Sequence, residues 1–149
     1  MNKLKIARYF VSAICIASTL GFVSCAGGGT YAETKANLPK IEKGKGRVFV
    51  YRPSSLGFGV RPKVKIDDKV VGVSQGQGFL YSDQTPGTHV VSTSTEWKRK
   101  ATVNVVEGQP TFVKCSVYPG VVLAQIAPKQ VERSVGEAEI QKCKLKKAN

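Results

Sequence analysis

Residues 88–117 read T-H-V-V-S-T-S-T-E-W-K-R-K-A-T-V-N-V-V-E-G-Q-P-T-F-V-K-C-S-V, and the fold is decided there. Thr88 to Thr95 is rich in β-branched residues with strong strand propensity. Ala101, Val103 and Val105 then alternate with Thr102 and Asn104, the period of a half-buried strand. Glu107-Gly108-Gln109-Pro110 is a turn by composition, and Thr111 to Val117 alternates again, with Val113, Cys115 and Val117 on one face. Strands this short and this closely spaced belong to a sandwich or a partly open barrel.

The same pattern extends upstream. Arg47 to Arg52, R-V-F-V-Y-R, is apolar with little alternation and reads as a central strand buried on both faces. Pro53 ends it, and residues 53–62, P-S-S-L-G-F-G-V-R-P, form a loop. Lys63-Val64-Lys65-Ile66 places its valine and isoleucine inward and its lysines outward. Asp67-Asp68-Lys69 is a turn into a short strand at Val70–Val73, and Phe79-Leu80-Tyr81 is the next strand. Downstream, Pro119-Gly120 turns the chain and a last strand is expected over 121–126. Pro128 is placed as a first helical residue. Val131, Val135 and Ala138 give a helical stripe over 129–141, weakened by Gly136, and residues 144–149 are expected to fray. The expected fold is all-β: a small β-sandwich of about seven or eight short strands with a short C-terminal helix, spanning 47–149.

The 149 residues suffice for one ordinary domain. Fifteen glycines and seven prolines suit a turn-rich β domain, and 42% hydrophobic residues permit a packed core. The net charge of +13 directs attention to anionic partners.

Lys3, Lys5 and Arg8 precede an uncharged run over 9–23, too short for an ordinary membrane span and of the right length for a signal-peptide core. Phe22-Val23-Ser24-Cys25-Ala26 follows, and it resembles a bacterial lipobox, with Phe22 where leucine is usual. The resemblance implies cleavage of residues 1–24, diacylglyceryl attachment to Cys25 and a lipid-anchored chain. Ala26 in second position implies the outer membrane, facing the periplasm. Residues 25–46, opening A-G-G-G-T after the cysteine, are expected to be a flexible linker. The alternatives are plain secretion, with cleavage after Ala26 or Ala32, and a retained membrane anchor.

Of the four cysteines, Cys15 leaves with the leader and Cys25 carries lipid. A disulfide between Cys115 and Cys143 is expected in an oxidising compartment. Two buried thiols and a metal pair are the alternatives, the last a poor zinc set without a histidine nearby.

No catalytic set is legible. The single histidine, His89, has no triad partner in sequence, the carboxylates are scattered, and there is no nucleophile elbow or phosphate-binding loop. No cofactor and no metal are expected. The candidate binding residues are Arg52, Phe58, Arg61, Trp97, Lys98, Arg99 and Lys100. Arg52 and Arg61 bracket the 53–62 loop and either bond it or grip a carboxylate. Trp97-Lys98-Arg99-Lys100 sets the only tryptophan beside three cations.

Two segments carry a family resemblance. Tyr51-Arg52-Pro53-Ser54-Ser55 with Val60-Arg61-Pro62-Lys63-Val64, and Val90 to Lys100 with the two late cysteines, resemble uncharacterised bacterial lipoproteins bearing a domain of unknown function. The Asp68-Lys69-Val70-Val71-Gly72 turn and Pro86-Gly87-Thr88-His89 are similar to the PEGA type of small β-sandwich. The lipoprotein resemblance implies an envelope location and a β fold, and supplies no catalytic residues. The resulting expectation is a cell-envelope lipoprotein whose domain is a non-enzymatic binding or accessory module. It contacts the membrane through its anchor and meets an anionic envelope component or an envelope protein, not nucleic acid. A purely structural envelope protein and an envelope hydrolase are the alternatives. Exposure of Phe58 and Trp97 would favour binding over a structural role.

Overall fold

The computed structural model describes residues 28–146. They form nine strands in two sheets, with short helices. The strands are β1 (Gly46–Arg52), β2 (Lys63–Ile66), β3 (Lys69–Val73), β4 (Gly78–Gln84), β5 (Gly87–Ser94), β6 (Lys98–Val105), β7 (Pro110–Tyr118), β8 (Gln125–Val131) and β9 (Lys144–Leu145). One sheet has the order β8-β7-β1-β4-β9 and the other β3-β2-β5-β6. The all-β sandwich with a short C-terminal helix is therefore the observed fold.

β1 is buried along its whole length and lies centrally, antiparallel to β4 and parallel to β7. Its alternate residues serve two different cores. Val48 and Val50 face the other sheet and pack with Val64, Ile66, Val91, Val103, Val113 and Cys115. Phe49 and Tyr51 face outward, into an aromatic cluster with Tyr31, Phe79, Phe112, Ile140 and Cys143. A lid covers this outer face. It consists of α1 (Tyr31–Thr34), α2 (Arg133–Glu139) and the single helical turn Ile140–Lys142. The molecule thus has a third layer over the five-stranded sheet, which explains why β1 lacks the alternation of a strand with a solvated face.

Three expectations change. Residues 28–46 are not a free linker throughout. Thr30 caps α1 through a reciprocal pair with Glu33, Tyr31 is buried edge-on against Phe49 and Phe79, and its N–H donates to the Cys143 carbonyl at 2.8 Å. The last long strand is β8 at 125–131, not 121–126, and Pro128 lies within it opposite Cys115. β8 is an edge strand, where a missing N–H is tolerated. Lys144 and Leu145 do not fray but pair with Gly78 and Phe79.

The C-terminal helix turns a different face inward from the expected stripe. Val135 is exposed and Gly136 is buried. A Cβ at Gly136 would stand 2.3 Å from Phe112 Cγ, so hydrogen there is what lets the helix approach the ring. Tyr51 Oη and Lys114 Nζ both donate to the Glu139 carboxylate at 2.6 Å and fix the other end of the helix.

The disulfide expectation is corrected as well. Cys115 and Cys143 are free and buried. Cys115 packs between the two sheets and Cys143 in the outer aromatic cluster, so the five-stranded sheet lies between them. Burial pushes the Cys115 thiol up to about 12 and the Cys143 thiol up to about 11, the latter with help from Glu139. Both are inert core thiols.

Candidate functional site

The parallel pairing of β1 with β7 brings their C-terminal ends to one pole of the sandwich. Three loops meet there: residues 53–62 after β1, 95–97 between β5 and β6, and 119–124 between β7 and β8.

The first loop is organised by Arg52, whose side chain is fully buried. Its guanidinium donates to the carbonyls of Leu56, of Gly57 at 2.7 Å and of Val60 at 2.8 Å. Burial lowers its pKa from the ordinary arginine value. Arg52 therefore bonds its own loop and meets no carboxylate there. Arg61 lies at the far end of the loop, exposed. The two arginines do not form a common grip. Gly57 adopts φ of +61° where the loop reverses, and a Cβ there would lie 3.2 Å from Ala124 Cβ, so the first loop touches the third.

The third loop is held by the second. Glu96 accepts the backbone N–H groups of Val121 at 3.0 Å, of Val122, and of Leu123 at 2.6 Å, and the Gln125 amide at 3.1 Å. The Leu123 hydrogen bond leads those that keep the carboxyl below the usual range. These two clamps leave Leu56, Phe58, Trp97, Val121, Val122 and Leu123 outside, with Phe58 77% and Val122 84% exposed. Arg99 lies over the Trp97 ring at 5.9 Å.

The outer face of the four-stranded sheet adjoins this pole and is basic. Register places Lys65, Ser92 and Lys100 side by side across β2, β5 and β6, and Ser94 opposite Lys98. Lys63, Lys65, Ser92, Ser94 and Lys98 line a shallow trough of about 290 Å³. Serines form its floor and lysines its walls. Asp68 enters from the β2–β3 turn and accepts from Lys98 Nζ at 3.0 Å, which lowers the Asp68 pKa. A serine floor with separate ammonium point charges suits an anionic surface better than one bidentate ligand.

His89 lies at the opposite pole. Its Nδ1 is 2.5 Å from Asp67 Oδ2 and its Nε2 is 2.7 Å from the Thr85 carbonyl oxygen. A carbonyl and a carboxylate can only accept, so both ring nitrogens donate and the ring is an imidazolium. Burial alone would lower its pKa, but the bonds to Asp67 and Thr85 outweigh burial and raise it. Asp67 also accepts Val90 N–H at 2.9 Å from a tight turn in which Asp67 and Asp68 have φ of 49° and 64°. With both nitrogens engaged, His89 has no lone pair for base catalysis; the constellation ties a hairpin turn to β5. A second cleft of about 460 Å³, lined by Asn104, Gln109, Thr111, Gln130, Glu132 and Arg133 among others, lies between β6, β7 and the end of β8. Among the described residues no three His, Cys, Asp or Glu side chains are grouped to hold a metal ion.

Of the expected binding residues, the structure gathers Phe58 and Trp97 at one pole, with Lys98, Arg99 and Lys100 running from it along β6. Cys25 lies outside the described residues. Sequence reasoning missed Glu96, the lysines of β2, and Val121–Leu123. The lysines of β2 were legible as outward-facing, whereas Val121-Val122-Leu123 has the composition of a strand and only the turn before it to mark a loop.

Comparison with known proteins places residues 42–126, more than half of the chain, in the family described as "Protein of unknown function (DUF2846)". The chain belongs to the DUF2846 family. The matched segment starts just before β1 and ends in β8, so it contains all three polar loops and the basic face. An "Uncharacterized protein" of Haemophilus influenzae is 26% identical over 149 residues, covering 97% of this chain and 89% of its own. No solved structure matches. No helix of the described residues is long and apolar enough to cross a membrane.

Proposed function

We propose that this DUF2846 protein is a cell-envelope lipoprotein, anchored through Cys25 at the outer membrane and facing the periplasm. Its β-sandwich is a non-enzymatic binding module that meets anionic envelope material. The observation that carries the binding role is the basic face. Lys63, Lys65, Lys98 and Lys100 share one outer sheet face with a single carboxylate, Asp68, among them. Lysines close to an anionic surface contribute about 1 kcal/mol each. The exposure of Phe58 and Trp97 favours binding over a purely structural role.

The leader supports the anchor: a basic start, a short uncharged core and a lipobox-like cysteine. The packed start of the domain bears on the tether. Gly28 already lies against Leu145, and only Ala26 and Gly27 stand between it and Cys25, so three chain steps give a reach of at most about 11 Å. An acylated Cys25 therefore holds the domain against the bilayer rather than on a long leash.

Two experiments test the proposal. Intact-mass spectrometry of the membrane-fraction protein should give a chain beginning at Cys25 with acyl-glyceryl mass; an unmodified chain beginning elsewhere overturns the anchor. Retention on lipopolysaccharide or peptidoglycan should fall with salt, and fall further for the Lys98→Gln/Arg99→Gln/Lys100→Gln variant. Identical retention of variant and wild type at every salt concentration overturns the basic face.

A further inference from the structure

We propose that the three-loop pole is a bilayer-insertion apex: Leu56, Phe58, Trp97, Val121, Val122 and Leu123 enter the outer acyl region of an anionic phospholipid bilayer. The inference rests on the envelope reading for its membrane and narrows the anionic material to phospholipid.

The apolar side chains sit on the tips of three separate loops at one pole, with Val121 81% and Val122 84% exposed. Scattered surface apolar residues are ordinary, but six gathered at one end mark an interaction site. Neither of the two clefts described above is lined by any of them. A fluid acyl layer accommodates projecting tips without a complementary groove.

Lipid makes a second demand: backbone polar groups entering it must be satisfied from within. The loops meet it. Arg52 occupies the carbonyls of Leu56, Gly57 and Val60, and Leu56 N–H donates to Ser54 Oγ at 3.1 Å. Val60 N–H donates to the Gly57 carbonyl at 2.9 Å. Glu96 occupies the N–H groups of Val121, Val122 and Leu123. Water would have served those groups on an ordinary exposed loop, whereas here a buried guanidinium and a carboxylate replace it. Glu96 is also the only carboxylate in the three loops.

The residues behind the tips match the headgroup layer. Arg61 ends the first loop and Lys63 follows it, and Lys98 and Arg99 follow Trp97, all exposed. Tyr118, half exposed at the end of β7, joins Trp97 as an amphipathic aromatic.

Trp97 is the only tryptophan, so its fluorescence reports the apex directly. The full chain, isolated from membranes, is reconstituted into phosphatidylethanolamine–phosphatidylglycerol vesicles with or without brominated acyl chains. Insertion predicts a blue shift of Trp97 and strong quenching by brominated lipid. The Phe58→Ser/Val122→Ser variant should lose quenching several-fold while floating with the vesicles and keeping its far-ultraviolet circular dichroism. Flotation with Trp97 unquenched and open to aqueous iodide overturns insertion and leaves the anchor standing. If the membrane-isolated chain lacks acyl mass and Trp97 is still quenched on addition of vesicles, the quenching supports insertion and the missing acyl mass overturns the anchor. A blue shift that grows with protein concentration in vesicle-free solution assigns the apex to a second copy of the chain and overturns the lipid assignment.

Discussion

Glu96 accepts the backbone N–H of Leu123 at 2.6 Å across 27 residues of chain. The bond links the turn after β5 to the loop after β7, and so joins two parts of the molecule that belong to different sheets. Glu96→Ala should leave the sandwich folded and free the 119–124 loop. Hydrogen exchange at Val121, Val122 and Leu123 should accelerate selectively, with the amides of β1 and β7 unchanged. The acid limit follows from the lowered Glu96 pKa: the loop is held above the ordinary carboxylate range and is released as pH falls through the folded-state value. Unchanged exchange in the variant would show that the clamp does not hold the loop.

The two core cysteines give the simplest chemical check. Because the five-stranded sheet separates Cys115 from Cys143, neither can reach the other without unfolding. In the native protein both should resist alkylation, since burial suppresses their thiolates. After denaturation without reductant, both should alkylate. A requirement for reductant before they react would restore the disulfide and contradict the packing.

Gly136 and Phe112 make a close contact that a single methyl disrupts. Helix propensity favours alanine over glycine by roughly 1 kcal/mol, so Gly136→Ala on an exposed helix face would stabilise. Here the new Cβ would fall 2.3 Å from Phe112 Cγ, and overpacking of this kind costs about 1–3 kcal/mol. The second effect wins, and urea denaturation should show net destabilisation. Val135→Ala, one residue away and exposed, should change stability within about 0.5 kcal/mol. A stabilised Gly136→Ala protein would mean that the helix does not sit on the ring.

That contrast also shows how far the sequence was legible. Where the apolar period is strong and one core decides it, as in β2 and β6, strands and inward faces follow from alternation alone, whereas β5 was legible from its β-branched composition. β1 was readable as doubly buried, but its second covering layer was not, because α1 is a single turn whose stability comes from inserting Tyr31 among Phe49 and Phe79. Pro128 misdirected the end of the fold: proline suits a helix start and an edge strand equally, and pairing with β7 settled which. At the pole, Phe58 and Trp97 stood out as large residues in loops. Their meeting depends on the parallel β1–β7 pairing and on Glu96, which are long-range relations without a local signal. Arg52 was legible as a loop-bonding residue from its place before Pro53, and Arg61 shared that reading without sharing the role.

His89 sets the pH response. It is the only histidine, and its folded-state pKa is raised above the ordinary value of 6.5 by Asp67 and Thr85 against the opposing effect of burial. The unfolded chain releases its proton near 6.5, whereas the folded chain holds it to higher pH. The stabilisation is therefore complete below about pH 6.5 and is lost as pH rises through the folded value. Asp67 acts in the opposite direction at the acid end. Its pKa is lowered, first by the Val90 N–H and then by His89, so its contribution is present above the ordinary aspartate range and lost as pH falls through the folded value. Between these limits the β2–β3 turn is held to β5 by an ion pair. The denaturation midpoint should fall from pH 6 to pH 8 in the wild type and stay level over that interval in His89→Gln, whose amide carries no titrating proton. Nuclear magnetic resonance titration of the single imidazole should place its midpoint above 6.5. A midpoint at or below 6.5, or a wild-type midpoint that does not move with pH, would contradict the imidazolium that the two short bonds require.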